Sequence, residues 1–215
     1  MTASEPVVFI VDDDQAVLDS VAFLLGTVGL RSHTCASAQE FLETYDPDVP
    51  GCVVLDMRMP GMGGLKLQEH LRESGSTLPV IFLTAHGDVP AAVRAVKAGA
   101  IDFIQKPFRE QEFLDTVQRA INENARRRSE AAEHREIADR ISSLTPRELE
   151  VMDRIVEGKA NKVIADELGV SQRTVEVHRA HVMEKFAVDS LAELVQMVVR
   201  AREDRHQNGS GSVQP

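Results

Sequence analysis

The sequence contains no tryptophan, one tyrosine and two cysteines, and aromatic residues make up only 4% of it. Cores must therefore be built from aliphatic side chains, and a 43% hydrophobic content is enough to pack them. Cys35 and Cys52 fall in separate strand-like runs with no CxxC spacing, so they read as buried thiols rather than a disulfide or metal pair. No apolar run approaches the roughly 20 residues that cross a bilayer, and the start MTASEP lacks the basic stretch and apolar core of a secretory leader. The expectation is a globular, cytoplasmic protein without membrane contact, long enough at 215 residues for one large domain or two modest ones.

Positive charge is also scarce. The net charge is -10, which by itself argues against nucleic-acid binding. The deficit is uneven, however: residues 1–125 hold 9 Lys and Arg against 18 Asp and Glu, while residues 144–215 hold 10 against 12. The acidity is concentrated in the first part, where it calls for a chemical reason.

Up to residue 122, short runs of Val, Ile and Leu alternate with amphipathic stretches, the pattern of βα units around a parallel sheet. Candidate strands are 7–11, 31–35, 52–56, 79–84 and 102–105. Helical spacing of apolar residues follows at Val17, Val21, Leu24, Leu25 and Val28, and again at Leu65, Leu67 and Leu71. Ser37 with Glu40 makes a capping box for a short second helix. Five strands and five helices predict a doubly wound, flavodoxin-like α/β domain over residues 1–122.

Residues 123–143 are helix formers with interleaved charge and neither Pro nor Gly. They read as an extension of the fifth helix or a helical linker, a solvated spacer rather than a coiled coil. Ile121, Ala125, Ala132, Ile137 and Ile141 leave only a weak dimer seam. Residues 144–203 predict a small all-α domain of four helices. Thr145, Pro146 and Glu148 open the first, Gly169 stops the second, Ser171 caps the third, and Ser190 with Glu193 opens a fourth ending near Arg202. Residues 204–215 have the composition of a flexible tail.

In open α/β sheets, ligands bind beyond the carboxyl ends of the strands. Those positions hold Asp12 and Asp13, Asp56, Thr84, and Lys106. Three converging carboxylates repel one another and should recruit a hard dication such as Mg²⁺. With that charge neutralised, Asp56 can attack a phosphoryl group while Lys106 pairs with the phosphoryl oxygens and the Thr84 hydroxyl donates to them.

The runs VDDD (11–14), LDMRMPGMGGL (55–65), TAHGD (84–88) and KPF (106–108) resemble the receiver domain of two-component response regulators, and 86–108 is similar to the FixJ branch. The resemblance covers residues 6–122. It implies phosphorylation of Asp56 by a sensor histidine kinase, and Mg²⁺ held by Asp13, Asp56 and the Arg58 carbonyl with Asp12 acting through water. It also implies Thr84 and Phe103 as a switch pair, and dimerisation through residues 89–122, where Ala91, Ala92, Ala95 and Ala98 permit close packing.

The stretch 161–186, with Gly at its turn, fits a helix-turn-helix packed through Ile164, Ala165, Leu168, Val170, Val175 and Val182. Its third helix would expose Gln172, Arg173, Thr174, Glu176, Val177, Arg179, Ala180 and His181. Arg173, Arg179, Lys162 and Lys185 are candidates for phosphate contact, and Glu176 and Val177 for base contact. Residues 144–186 resemble the LuxR-type helix-turn-helix of FixJ and NarL regulators, which implies double-stranded promoter DNA as a partner, with RNA polymerase beyond it. Three rival readings remain: an aspartate-based phosphatase, an interaction module without DNA binding, and a DNA binder that ignores phosphorylation. A phosphatase needs an acid two residues after its nucleophile, where this chain has Arg58, so turnover is expected only on the chain's own phosphoryl group.

Overall fold

The computed structural model describes residues 5–85 and 89–209, and the chain divides into two compact units, residues 1–129 and 130–215. The first unit is a five-stranded parallel sheet of β1 (Val7–Val11), β2 (Arg31–Cys35), β3 (Gly51–Leu55), β4 (Val80–Thr84) and β5 (Asp102–Gln105). The strand order is β2-β1-β3-β4-β5, with β1 in register between Cys35 and Leu55 at its carboxyl end. Every residue of β3 and β4 is buried, as an unbroken apolar run requires when both faces are covered. The edge strand β2 carries RSHTC and buries only its last residue.

Alternation along β1 feeds two cores. Phe9 and Val11 join Ala38 and Phe41 of α2 (Ala38–Thr44), Leu67 and Leu71 of α3 (Gly64–Glu73) and Ala95 of α4 (Val89–Lys97) on one face. Val8 and Ile10 join Leu18, Val21 and Leu25 of α1 (Gln15–Thr27) and Phe113, Val117 and Ala120 of α5 (Glu110–Ser142) on the other. Burying each of the larger of these side chains, Val, Leu, Ile or Phe, contributes about 1.5–3 kcal/mol. Cys35 and Cys52 are free and buried, and burial pushes the Cys52 thiol up to about 12.

The expectation of a solvated spacer over 123–143 is not met at either end. Asn124 is 1% exposed, donates Nδ2 to the Thr77 carbonyl at 3.0 Å and accepts from the Gly51 backbone N–H at 3.0 Å. Arg128 donates to the carbonyls of Pro47 and Asp48. Farther along α5, Ile137 and Ile141 pack into the core of the second unit. Of the weak dimer seam, Ile121 packs against the core of the first unit and Ile137 and Ile141 against that of the second, whereas Ala125 and Ala132 are exposed.

The second unit adds α6 (Pro146–Val156), α7 (Asn161–Leu168), α8 (Gln172–Phe186) and α9 (Leu191–Gly209). Thr145 and Glu148 close a complete capping box, and Gly169, at φ 65°, ends α7 in the left-handed region that side chains disfavour. Ser171 caps α8 by accepting from the Thr174 N–H. Ile164, Ala165, Val175 and Val182 are buried between α7 and α8, with Leu168 and Val170 packed at the margin. The helix α9 runs past Arg202, where its end was expected, to Gly209, because residues 203–208 contain no helix breaker. The flexible tail expected over 204–215 is therefore helical up to Gly209, and its remainder, 210–215, together with His86, Gly87 and Asp88 of the TAHGD run, lies outside the described residues.

Candidate functional site

The adjacent parallel strands β1 and β3 bring Asp12 and Asp56 together, because Val11 and Leu55 are register partners and each acid follows its strand by one residue. This is where the sheet order reverses direction, the usual place for a ligand crevice. Lys106, just past β5, reaches across: its Nζ is 2.6 Å from Asp12 Oδ2 and 3.4 Å from Asp56 Oδ1. Asp12 and Asp56 are 3% and 9% exposed, whereas Asp13 and Arg58 are on the surface.

Each carboxylate is also held from its own loop. The Arg58 N–H donates to Asp56 Oδ2 at 2.7 Å, and the Asp14 N–H donates to Asp12 Oδ1 at 3.0 Å. Burial pushes the Asp56 carboxyl up, with the Asp12 charge adding to it, against the opposing pull of the Arg58 N–H and the Lys106 ammonium. The structure brings two of the three expected carboxylates, Asp12 and Asp56, onto one ammonium, while Asp13 stays exposed; the surplus negative charge and the oxygen donors suit a hard dication.

Thr84 is buried at the end of β4, and its carbonyl accepts from the Lys106 N–H at 2.8 Å. Phe103 is in register with Phe82, and Thr84, two residues beyond Phe82, faces the same side of the sheet. Phe103 is half-buried against the core that includes Ala95. Among the alanines expected on α4, Ala95 is buried and Ala98 exposed, and the Ala95 carbonyl accepts from Gln68.

One positioning residue escapes inspection of charges and motifs: Gly64, at the start of α3. A Cβ there would lie 2.4 Å from the Asp56 carbonyl oxygen and 2.9 Å from the Phe82 ring. Its only sequence signal is the glycine pair in LDMRMPGMGGL.

In the second unit, Gln172, Arg173, Glu176, Val177, Ala180 and His181 are exposed along α8, and Thr174 is half-buried beside its cap. Arg173 pairs loosely with Glu176 at 3.5 Å, and Arg179 is braced by Asn161 Oδ1 at 2.9 Å. Lys162 is exposed at the start of α7. Lys185 does not share the outward direction: its ammonium donates to Glu148 Oε2 at 2.7 Å and to the Ser143 carbonyl at 2.8 Å. His181 also turns toward α6, with Nδ1 3.4 Å from Glu148 Oε1.

Comparison with known proteins agrees with both halves. Residues 8–118 match the response regulator receiver domain, and residues 142–198 match the bacterial regulatory proteins of the luxR family. The response regulator protein TodT of Pseudomonas putida F1 is 40% identical over 203 residues, spanning 94% of this chain and 89% of that protein. The transcriptional regulatory protein FixJ of Azorhizobium caulinodans is 44% identical over 194 residues, spanning 90% and 92%. Among solved structures, the response regulator StyR superposes with a TM-score of 0.81 at 46% identity, covering 92% of this chain and all of that one. Full-length FixJ from B. japonicum gives 0.56 at 39% identity, covering 93% and 98%. The chain thus belongs to the two-component response regulators of the FixJ type, transcriptional regulators in which a receiver domain is followed by a LuxR-type DNA-binding domain.

Proposed function

We propose that Asp56 is the phosphoacceptor and that its modification by a sensor histidine kinase controls DNA binding by α8. The observation that carries this reading is the Lys106 ammonium standing between Asp12 and Asp56 at the carboxyl ends of three strands. An Asp56 carboxylate oxygen attacks phosphorus, the bond from phosphorus to the donor's imidazole nitrogen breaks with its electron pair returning to that nitrogen, and an acyl phosphate remains. Asp12, Asp13, Asp56 and the Arg58 carbonyl are the groups that would hold Mg²⁺, which receiver domains generally bind. When bound, that ion offsets charge on the phosphoryl oxygens. Lys106 is drawn from the carboxylates to those oxygens. The Thr84 hydroxyl donates to them, and Phe103, on the same sheet face, takes up the space it leaves.

That rearrangement remodels α4, β5 and α5 and promotes pairing of two receivers. Two copies then place α8 in adjacent major grooves of promoter DNA, where RNA polymerase is the downstream partner. Arg173, Arg179 and Lys162 contact phosphates, while Thr174, Glu176 and Val177 reach base edges. His181 and Lys185, first candidates for the same surface, are turned to Glu148 and contribute less. The chain turns over no external substrate.

Acetyl phosphate and Mg²⁺ test the reading against Asp56→Asn, with intact mass and solution molar mass as readouts. One added phosphoryl group in the wild type alone, with a shift from monomer to dimer, is the expected result. An unmodified wild type that still selects a DNA sequence would instead make the chain a phosphorylation-independent DNA binder.

A further inference from the structure

Away from the acidic pocket, the second unit gathers three metal-ligating side chains. Glu148 of α6 and His178 and His181 of α8 each bring one ligating atom within 4.8 Å of the other two. The histidines are three residues apart, so they stack on one face of their helix.

The carboxylate is prepared for ligation by its own hydrogen bonds. Glu148 is 5% exposed, and its Oε2 accepts from the Thr145 N–H at 2.9 Å and from Lys185 Nζ at 2.7 Å. Those bonds fix the plane of the group and leave Oε1 on the side of His181. Outer hydrogen bonds of this kind are what orient carboxylate ligands in metal centres. His178 supplies a separate observation: its Nδ1 is buried and has no hydrogen-bond partner among the described residues. A buried polar atom left unpaired costs free energy that a ligand would recover.

We propose that Glu148, His178 and His181 form a site for a zinc-class transition-metal dication, clipping α8 to α6 with water completing the coordination. Two imidazoles and a carboxylate are a donor set that zinc takes up in open three-ligand sites, whereas Mg²⁺ prefers oxygen alone. The Lys185 ammonium stands on the other carboxylate oxygen, so its charge weakens the site without occupying the ligating atom.

The test is Zn²⁺ titration of the full chain in saturating Mg²⁺, which keeps a hard ion in the receiver's acidic pocket, with Co²⁺ absorption as a second probe. One Zn²⁺ per chain is expected, with visible Co²⁺ bands. His181→Ala, at a side chain 52% exposed, should weaken binding about tenfold or more and remove the bands. Since His178→Gln can perturb packing, ring-nitrogen chemical shifts of His178 and His181 in the unaltered chain provide a measurement independent of folding, and both should move with Zn²⁺. No retained Zn²⁺, or equal binding in His181→Ala with neither ring shifting, overturns the proposal.

Discussion

Asp56 combines burial with negative charge, and that combination has a cost. Its carboxyl is pushed above the ordinary value of 3.8 chiefly by burial, so the folded state favours the protonated form. Below pH 3.8 the folded and unfolded states both carry the proton and no penalty exists; as pH rises through 3.8 and then the folded value, stability is lost. Asp56→Asn should therefore melt at a higher temperature than the wild type at neutral pH without divalent cation, with the gain shrinking toward acid. Melting curves across pH check this; equal curves would mean that the stabilising pull of Lys106 and the Arg58 N–H matches the burial penalty, and a less stable variant that it exceeds it.

Gly64 poses the opposite case, a residue with no chemistry whose smallness positions the chemistry. Adding a Cβ 2.4 Å from the Asp56 carbonyl must shift backbone, so Gly64→Ala should cost about 1–3 kcal/mol and slow phosphorylation. Denaturant unfolding and the rate of mass gain with acetyl phosphate measure the two effects separately. The acidic residues were legible in the sequence because strand ends can be read from apolar runs. The role of Gly64 was not, because its constraint is set by how the loop folds back onto the Asp56 carbonyl and by Phe82, which arrives from a later strand.

At the level of elements, the receiver's strands and helices follow local patterns closely. Strand bounds differ from expectation by one residue at β3 and β4, the scatter expected at element ends. The helix α5 departs further, since the sequence of 123–143 looks solvated while Asn124 and Ile137 are buried. An asparagine among charged residues gives no periodic signal, yet it satisfies backbone groups of Gly51, at the start of β3, and of Thr77, before β4. Asn124→Ala removes both partners and should destabilise the first unit by about 1–3 kcal/mol. Asn124→Asp, which keeps the acceptor but loses the donor to Thr77, should also destabilise it. A midpoint unchanged in both variants would show that water replaces the side chain at no cost.

At the scale of the whole molecule, the second unit remains short of positive charge, since residues 144–215 hold 10 Lys and Arg against 12 Asp and Glu. Several of those cations are already engaged, Arg154 and Lys159 with Glu167 and Lys185 with Glu148. A single copy should consequently bind DNA weakly, and joining two copies should raise apparent affinity about 100-fold or more. Fluorescence anisotropy with the phosphorylated chain and with Asp56→Asn is the measurement. Affinity should also fall steeply with salt, and Lys162→Ala should reduce that slope by about one. Equal affinities before and after phosphorylation would separate DNA binding from receiver pairing.

The sequence alone determined the order of elements, the α/β and all-α division, the acids and the lysine at strand ends, and the family. All of these depend on periodicity, capping and residue type over short distances along the chain. Tertiary structure decided which groups meet: Lys106 between Asp12 and Asp56, Asn124 beneath β3, Ile137 in the second core, and Lys185 and His181 turned to Glu148. These pairings join residues up to 94 positions apart. Local patterning cannot choose a partner over such a separation, because the choice is made only when packing brings the two surfaces into contact.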